Sequence, residues 1–112
     1  MAGDIFFTNR TWSSRSSITF YVMEYLVSRL PDGPEKDAIQ EYVDNNIPVL
    51  RLEERNKSHL VDLIADGLPN HVAAVEDPRR RESLEVLLAD LFRYAKEQQA
   101  YNAERRDGER GQ

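Results

Sequence analysis

Hydrophobic residues recur at helical spacing over much of the chain. Between residues 16 and 30 they cover more than one face, and only Glu24 and Arg29 are charged. A helix that is apolar on most sides is typical of the centre of a bundle. The serines that begin this segment are good N-caps, and Pro31 with Gly33 ends it. A strand over residues 18–23 is the rival interpretation, because Ile, Thr, Phe, Tyr and Val favour strands; we expect the helix.

A second helix is marked at both ends. It begins at Pro34, which suits the first helical position, has acids in its first turn, and stops at Asn45–Asn46. Its predicted inner face consists of Ala38, Ile39, Tyr42 and Val43. Residues 49–52 follow as a short, mostly apolar connection, which is either extended or the first turn of the next helix.

Capping signals divide the remainder into further helices. Asn56 or Ser58 begins a third helix, which we expect to end at Gly67 in a left-handed C-cap. A short fourth helix over 70–75 follows. Asp77 and Pro78 then supply the N-cap and first residue of the last helix.

The last helix is the longest. Its core residues are Leu84, Leu87, Leu88, Leu91, Phe92 and Ala95. If it continues to Arg106 it spans about 43 Å at the usual rise, which exceeds the ~30 to 35 Å diameter of a body of this size. Part of this helix is therefore expected to project, fray or pair.

The first 17 residues give no clear period. Ile5, Phe6, Phe7 and Trp12 are too apolar to leave in water, so this arm should pack on the body, whether extended or helical. The predicted fold is all-α: a four- to five-helix antiparallel bundle with a packed aromatic N-terminal arm and a long C-terminal helix. We expect one helical domain over residues 1–103 and a disordered tail over 104–112.

Composition narrows the range of functions. The 112 residues contain no cysteine and carry a net charge of −5, and residues 31–50 hold five acids and one base. This charge disfavours nucleic acid and favours a partner with a basic surface. The absence of cysteine fits a reducing compartment. With neither a signal-peptide pattern nor a membrane-length apolar segment, we expect a cytoplasmic protein without membrane contact.

Sequence motifs for catalysis are absent. The chain has no phosphate-cradling glycine loop, nucleophile elbow or His-Glu-x-x-His pair. His59, Asp62 and His71 could in principle supply metal ligands, but both histidines occupy ordinary polar positions near helix ends. We therefore expect no catalytic residue, cofactor or metal.

Two surfaces are candidates for binding another protein. Asp37, Glu41 and Asp44 are spaced i, i+4 and i+7, which gives the second helix an outward acidic stripe for a basic partner. In the last helix, Tyr94, Gln98 and Tyr101 continue a heptad pattern from its leucines. Such a seam could pair with a second copy of the chain.

The predicted function is that of a small acidic, noncatalytic protein-interaction module, in an inhibitor, immunity, antitoxin-like or adaptor role. The alternative is a helical regulator that contacts nucleic acid through Arg79–Arg81, the longest basic cluster in the chain. These cations lie where the helix dipole prefers anions, and Glu82 and Glu85 are within helical reach to pair with them.

Overall fold

The N-terminal arm is a β-hairpin. The computed structural model describes the backbone of residues 2–110 and the side chains of residues 2–54 and 56–105. Strand β1 (Ala2–Phe6) pairs antiparallel with β2 (Thr11–Arg15), and the amide of Phe7 donates to the carbonyl of Arg10 at 2.7 Å to close the turn. The hairpin buries Ile5, Phe7 and Trp12, in line with their apolar character.

A third strand makes the structure mixed α/β and corrects the prediction of an all-α bundle. Strand β3 (Val49–Arg51) pairs parallel with β1, so the sheet order is β2-β1-β3, although the chain is 69% helical. One face of the sheet packs into the core through Ile5, Trp12 and Leu50. The all-α prediction was wrong because the strands are short and because β3 pairs with a segment more than 40 residues away in the sequence.

Two helices connect β1 and β2 to β3. Helix α1 (Ser16–Arg29) buries Val22, Met23, Tyr25 and Leu26 together with Thr19, so the predicted helix is confirmed over the rival strand. Arg15 occupies the N-cap position, and no side chain caps the helix there, contrary to the expected serine cap. Helix α2 (Pro34–Asp44) has the predicted bounds.

The middle of the chain is one continuous helical stretch in three parts. After a 3-10 turn (Arg55–Lys57) come α3 (Ser58–Asp62), a π-helical segment (Leu63–Gly67) and α4 (Leu68–Ala73). The predicted left-handed end at Gly67 was wrong, because Gly67 is right-handed (φ −94°, ψ −44°). A β-carbon there would collide with the Tyr25 hydroxyl. Gly67 therefore provides space for α1 and does not end the helix.

Helix α5 (Pro78–Arg110) forms the long axis of the molecule. The Asp77 carboxylate accepts the amide of Arg79 at 3.0 Å, which confirms Asp77 as its N-cap. The extents of the molecule are 49 × 28 × 26 Å, so this helix is longer than the body beneath it. The described part of α5 overlaps the predicted tail over 104–112, and residues 111 and 112 lie outside the described residues. That tail stays a prediction.

Candidate functional site

A mostly apolar groove lies beside the edge of the sheet that β3 forms. It has a volume of about 240 Å³ and lies between α2 and β3. Residues of the 3-10 turn and α3 also line it. We call it the α2–β3 groove. Its described lining residues are Glu35, Ala38, Ile39, Tyr42, Val49, Leu50, Arg51, Glu54, Lys57 and Leu60.

The backbone of β3 borders this groove with hydrogen-bonding groups that face away from β1. The carbonyl of Pro48 accepts from Asp4 and the amide of Leu52 donates to Phe6, so the ladder with β1 uses alternate residues, including Leu50. The polar groups of Val49 and Arg51 therefore face away from β1. The Val49 amide donates to the carbonyl of Ile47 at 3.0 Å. Among the described residues, no hydrogen-bond partner is found for the Val49 carbonyl or for the amide and carbonyl of Arg51.

The groove has the size of a large side chain. Its 240 Å³ exceeds the ~150 Å³ of an engineered apolar cavity that binds benzene, and it falls below the roughly 300–1,000 Å³ of sites for drug-sized ligands. Tyr42 forms part of one wall and is 45% exposed. This exposure corrects the predicted inner face at Tyr42 and Ala38, which both meet solvent at the groove. Ile39 is buried as predicted, and Val43 packs against the core.

Charged side chains also line the groove. Glu35 accepts from His59 at 2.5 Å and lies 3.6 Å from the ammonium of Lys57. Arg51 pairs with Glu53 at 3.1 Å, and its guanidinium lies 4.6 Å from the centre of the Phe6 ring. The basic groups at the groove are thus matched by acids of the same chain, and the lining remains mostly apolar.

The predicted acidic stripe lies on another part of α2. Asp37, Glu41 and Asp44 are exposed, and the Asp44 carboxylate accepts from Gln40 at 2.8 Å. Helical spacing places Asp37 and Asp44 opposite the groove face and Glu41 at its side. The stripe is therefore not part of the groove, although it belongs to the same helix.

The predicted seam of α5 contacts the hairpin of its own chain. Gln98 is only 4% exposed, and the ring of Tyr94 meets Phe7 edge to face at 6.3 Å. Tyr101 is half-buried and lines a cavity of about 30 Å³ with these residues. The structure thus brings all three seam residues together at the hairpin. Pairing of two copies through them stays a prediction.

Replacing Gln98 with Ala should destabilise the protein. Its amide accepts from the backbone of Thr8 at 2.8 Å and donates to the Thr8 hydroxyl and to Asn102 at 2.9 and 3.0 Å. Because the replacement leaves part-buried polar groups unsatisfied, we expect a loss of about 1 to 3 kcal/mol in the free energy of unfolding. Denaturant titration measures it, with the exposed Ala100→Gly as the helix control. A loss of stability smaller than that caused by Ala100→Gly would contradict the structural role of Gln98.

The basic cluster at the start of α5 is only partly available. Arg81 donates to the carbonyl of Val75 at 3.0 Å, whereas Arg79 and Arg80 are exposed. Burial raises the pKa of the Tyr21 phenol, and the charge of Arg80 offsets this effect only in part. The cluster thus offers two exposed cations.

A polar network fastens α5 to the middle helical stretch. Asp66 accepts from Lys96 and Gln99 at 2.8 Å each, and Gln99 also donates to Asp62. The hydrogen bond from Lys96, followed by that from Gln99, lowers the pKa of the Asp66 carboxyl. Asp62, one of the three possible metal ligands in the sequence, is thus bonded to α5. His71 packs on the Tyr25 ring at 4.9 Å, and the described residues include no cluster of three groups that could hold a metal.

Similarity to known proteins does not assign this site. No protein-family model, no curated protein and no solved structure matches the chain. Within the described residues, no helix is both long and apolar enough to cross a membrane. The groove was not predicted from the sequence, in which the mostly apolar residues 49–52 before the third helix were its one visible signal.

Proposed function

We propose that this chain is a noncatalytic protein-interaction module and that its partner binds in the α2–β3 groove. The observation that supports this most is the juxtaposition of an apolar groove with the free edge of β3. A groove of side-chain size suits one anchoring residue of a partner protein, and such buried anchors supply most of the energy at interfaces. Inhibitor, immunity, antitoxin-like and adaptor roles all act by binding another protein.

The groove chemistry supports binding more than catalysis. Glu35 is held by His59 and Lys57, so its carboxylate is already engaged. The described lining residues include no serine, threonine or cysteine that could act as a nucleophile. A cytoplasmic location belongs to the same proposal and is supported by the lack of cysteine.

The second binding candidate has less support. Gln98 and Tyr94 of the α5 seam are covered largely by the hairpin of their own chain. The groove, in contrast, leaves Tyr42 and a strand edge exposed without any rearrangement. This difference favours the groove over α5 as the binding site.

Filling the groove should abolish partner binding. Ala38 is exposed and lines the α2 wall, so Ala38→Trp places an indole in the cavity. The exposed Ala89 of α5 gives a matched control, Ala89→Trp. Linear peptides selected from a display library on the full chain should bind Ala38→Trp at least about tenfold more weakly than the unchanged chain, and Ala89→Trp should bind equally well.

The affinities of the selected peptides for these variants test whether the groove is the binding site. Thermal unfolding first establishes that both tryptophan variants are folded. Equal affinity of every peptide for the unchanged chain and Ala38→Trp would rule out the groove as the binding site. Failure to select any peptide would have the same consequence.

A further inference from the structure

We infer that the occupant of the α2–β3 groove is an extended, basic peptide segment of a partner protein, which adds to β3 as a fourth strand. This inference rests on the proposed function, because it identifies what the groove binds. It joins three independent observations: the backbone groups at the edge of β3, the shape of the groove and the acidity of the adjacent α2.

The backbone of β3 is prepared for strand addition. The carbonyl of Val49 and the amide and carbonyl of Arg51 face away from β1, which already occupies the other side of β3. These three groups match the donors and acceptors of one extended segment. Main-chain pairing of this kind gives affinity at an exposed sheet edge, while pockets for alternate side chains give specificity.

The groove then accepts alternate side chains of the added strand. Successive residues of a strand point to opposite faces, so every second residue faces α2. Ile39, Tyr42 and Leu60 line the space that such a residue would enter. A volume of about 240 Å³ holds one large apolar side chain. The opposite residues would lie beside Arg51 on the outer face of the sheet.

The acidity of α2 beside the groove favours a basic segment. Residues 31–50 carry five acids and one base. Of the exposed acids on α2, Glu41 lies at the side of the groove face, whereas Asp37 and Asp44 lie on the far side of the helix. Arg51 and Lys57 are already paired with Glu53 and Glu35, so they offset this acidity only locally. Lysine or arginine residues that flank the apolar anchor are therefore complementary to this acidic helix.

A second copy of this chain is a poorer occupant. Pairing of β3 with its own copy would bring two acidic α2 helices towards one interface, and each chain carries a net charge of −5. Like charges across an interface oppose association. A basic partner reverses the sign of this interaction and favours binding.

Arg51→Pro tests strand addition directly. Proline removes the outward amide of Arg51 while the β1 ladder remains intact, and edge strands tolerate proline at such positions. Arg51→Ala removes the same side chain but keeps the amide, so it is the matched control. Two display libraries of linear peptides of about nine residues, one with lysine and one with glutamate at fixed alternate positions, serve as probes.

Peptides from the lysine library should bind the full chain, lose at least about tenfold in affinity on Arg51→Pro, and lose less than about threefold on Arg51→Ala. In the unchanged chain, peptide binding should slow hydrogen exchange of the Arg51 amide. This second measurement needs no variant, so it remains decisive if Arg51→Pro does not fold.

Each other outcome has a definite meaning. Suppose that Ala38→Trp weakens peptide binding, but that the two Arg51 variants weaken it equally and the Arg51 amide gains no protection. This result would keep the groove as the binding site and would reject strand addition. Enrichment from the glutamate library alone would reject a basic segment. A free chain that sediments as a dimer, and becomes monomeric on Arg51→Pro, would make a second copy the occupant. If Ala38→Trp weakened the binding of none of the peptides, the proposed function itself would be rejected.

Discussion

Replacing Gly3 with alanine should destabilise the protein by about 3 kcal/mol, near the upper end of the usual cost of overpacking a core. A β-carbon at Gly3 would lie 2.6 Å from the β-carbon of Thr19 and 3.0 Å from that of Pro48. Both neighbours are fixed, one on α1 and the other at the start of β3. Either the hairpin must move away from α1 or the ladder with β3 must open. Chemical denaturation measures the loss.

The control for Gly3→Ala is a second change at the point of collision. Thr19→Gly removes the nearest side chain, although it costs about 1 kcal/mol as a glycine within a helix. The double variant should therefore be more stable than the sum of the two single losses predicts. Among the described glycines only Gly33 has a positive φ, so backbone strain does not explain the effect at Gly3. Strict additivity would contradict the steric explanation.

The helices could be predicted from local signals because those signals are themselves physical causes of helix ends. Pro34 lacks the amide that a first helical residue cannot use, and the Asp77 carboxylate satisfies the amide of Arg79. The apolar faces of α1 were equally visible, since its buried residues recur at helical spacing. No distant residue had to be known for these predictions.

The strands were hidden for a different reason. The buried positions of β1 include Gly3, which hydrophobic patterning does not count as apolar, so the alternation of β1 is incomplete. In β2 only Trp12 marks the buried face. The three residues of β3 become a strand through pairing with β1, a long-range contact that no local period reveals.

The groove was missed because it arises from the same pairing. Sequence periodicity assigned Tyr42 to an inner face, but the position of α2 beside β3 leaves a gap at that face. Periodicity identifies the face of α2 that is turned toward the rest of the chain. It does not determine whether that face is filled.

The buried position of α1 leads to the largest expected effect of a single truncation. Leu26→Ala should reduce the free energy of unfolding by about 3 to 5 kcal/mol, within the usual range for a buried leucine. Leu26 is 0% exposed, and α1 packs against α2, the hairpin and the π-helical segment. With neighbours on several sides, the cavity left by the missing methyl groups cannot collapse without moving more than one element.

Val86→Ala is the matched control for Leu26→Ala. Val86 is also an apolar helical residue, but it is 71% exposed on α5. Its truncation removes almost no buried surface, so stability should change by less than about 0.5 kcal/mol. Urea or guanidinium titration of both variants beside the unchanged chain gives the comparison. Similar small losses at the two positions would place α1 at the surface and contradict its central packing, whereas a large difference with an unchanged denaturant slope isolates the cost of the cavity.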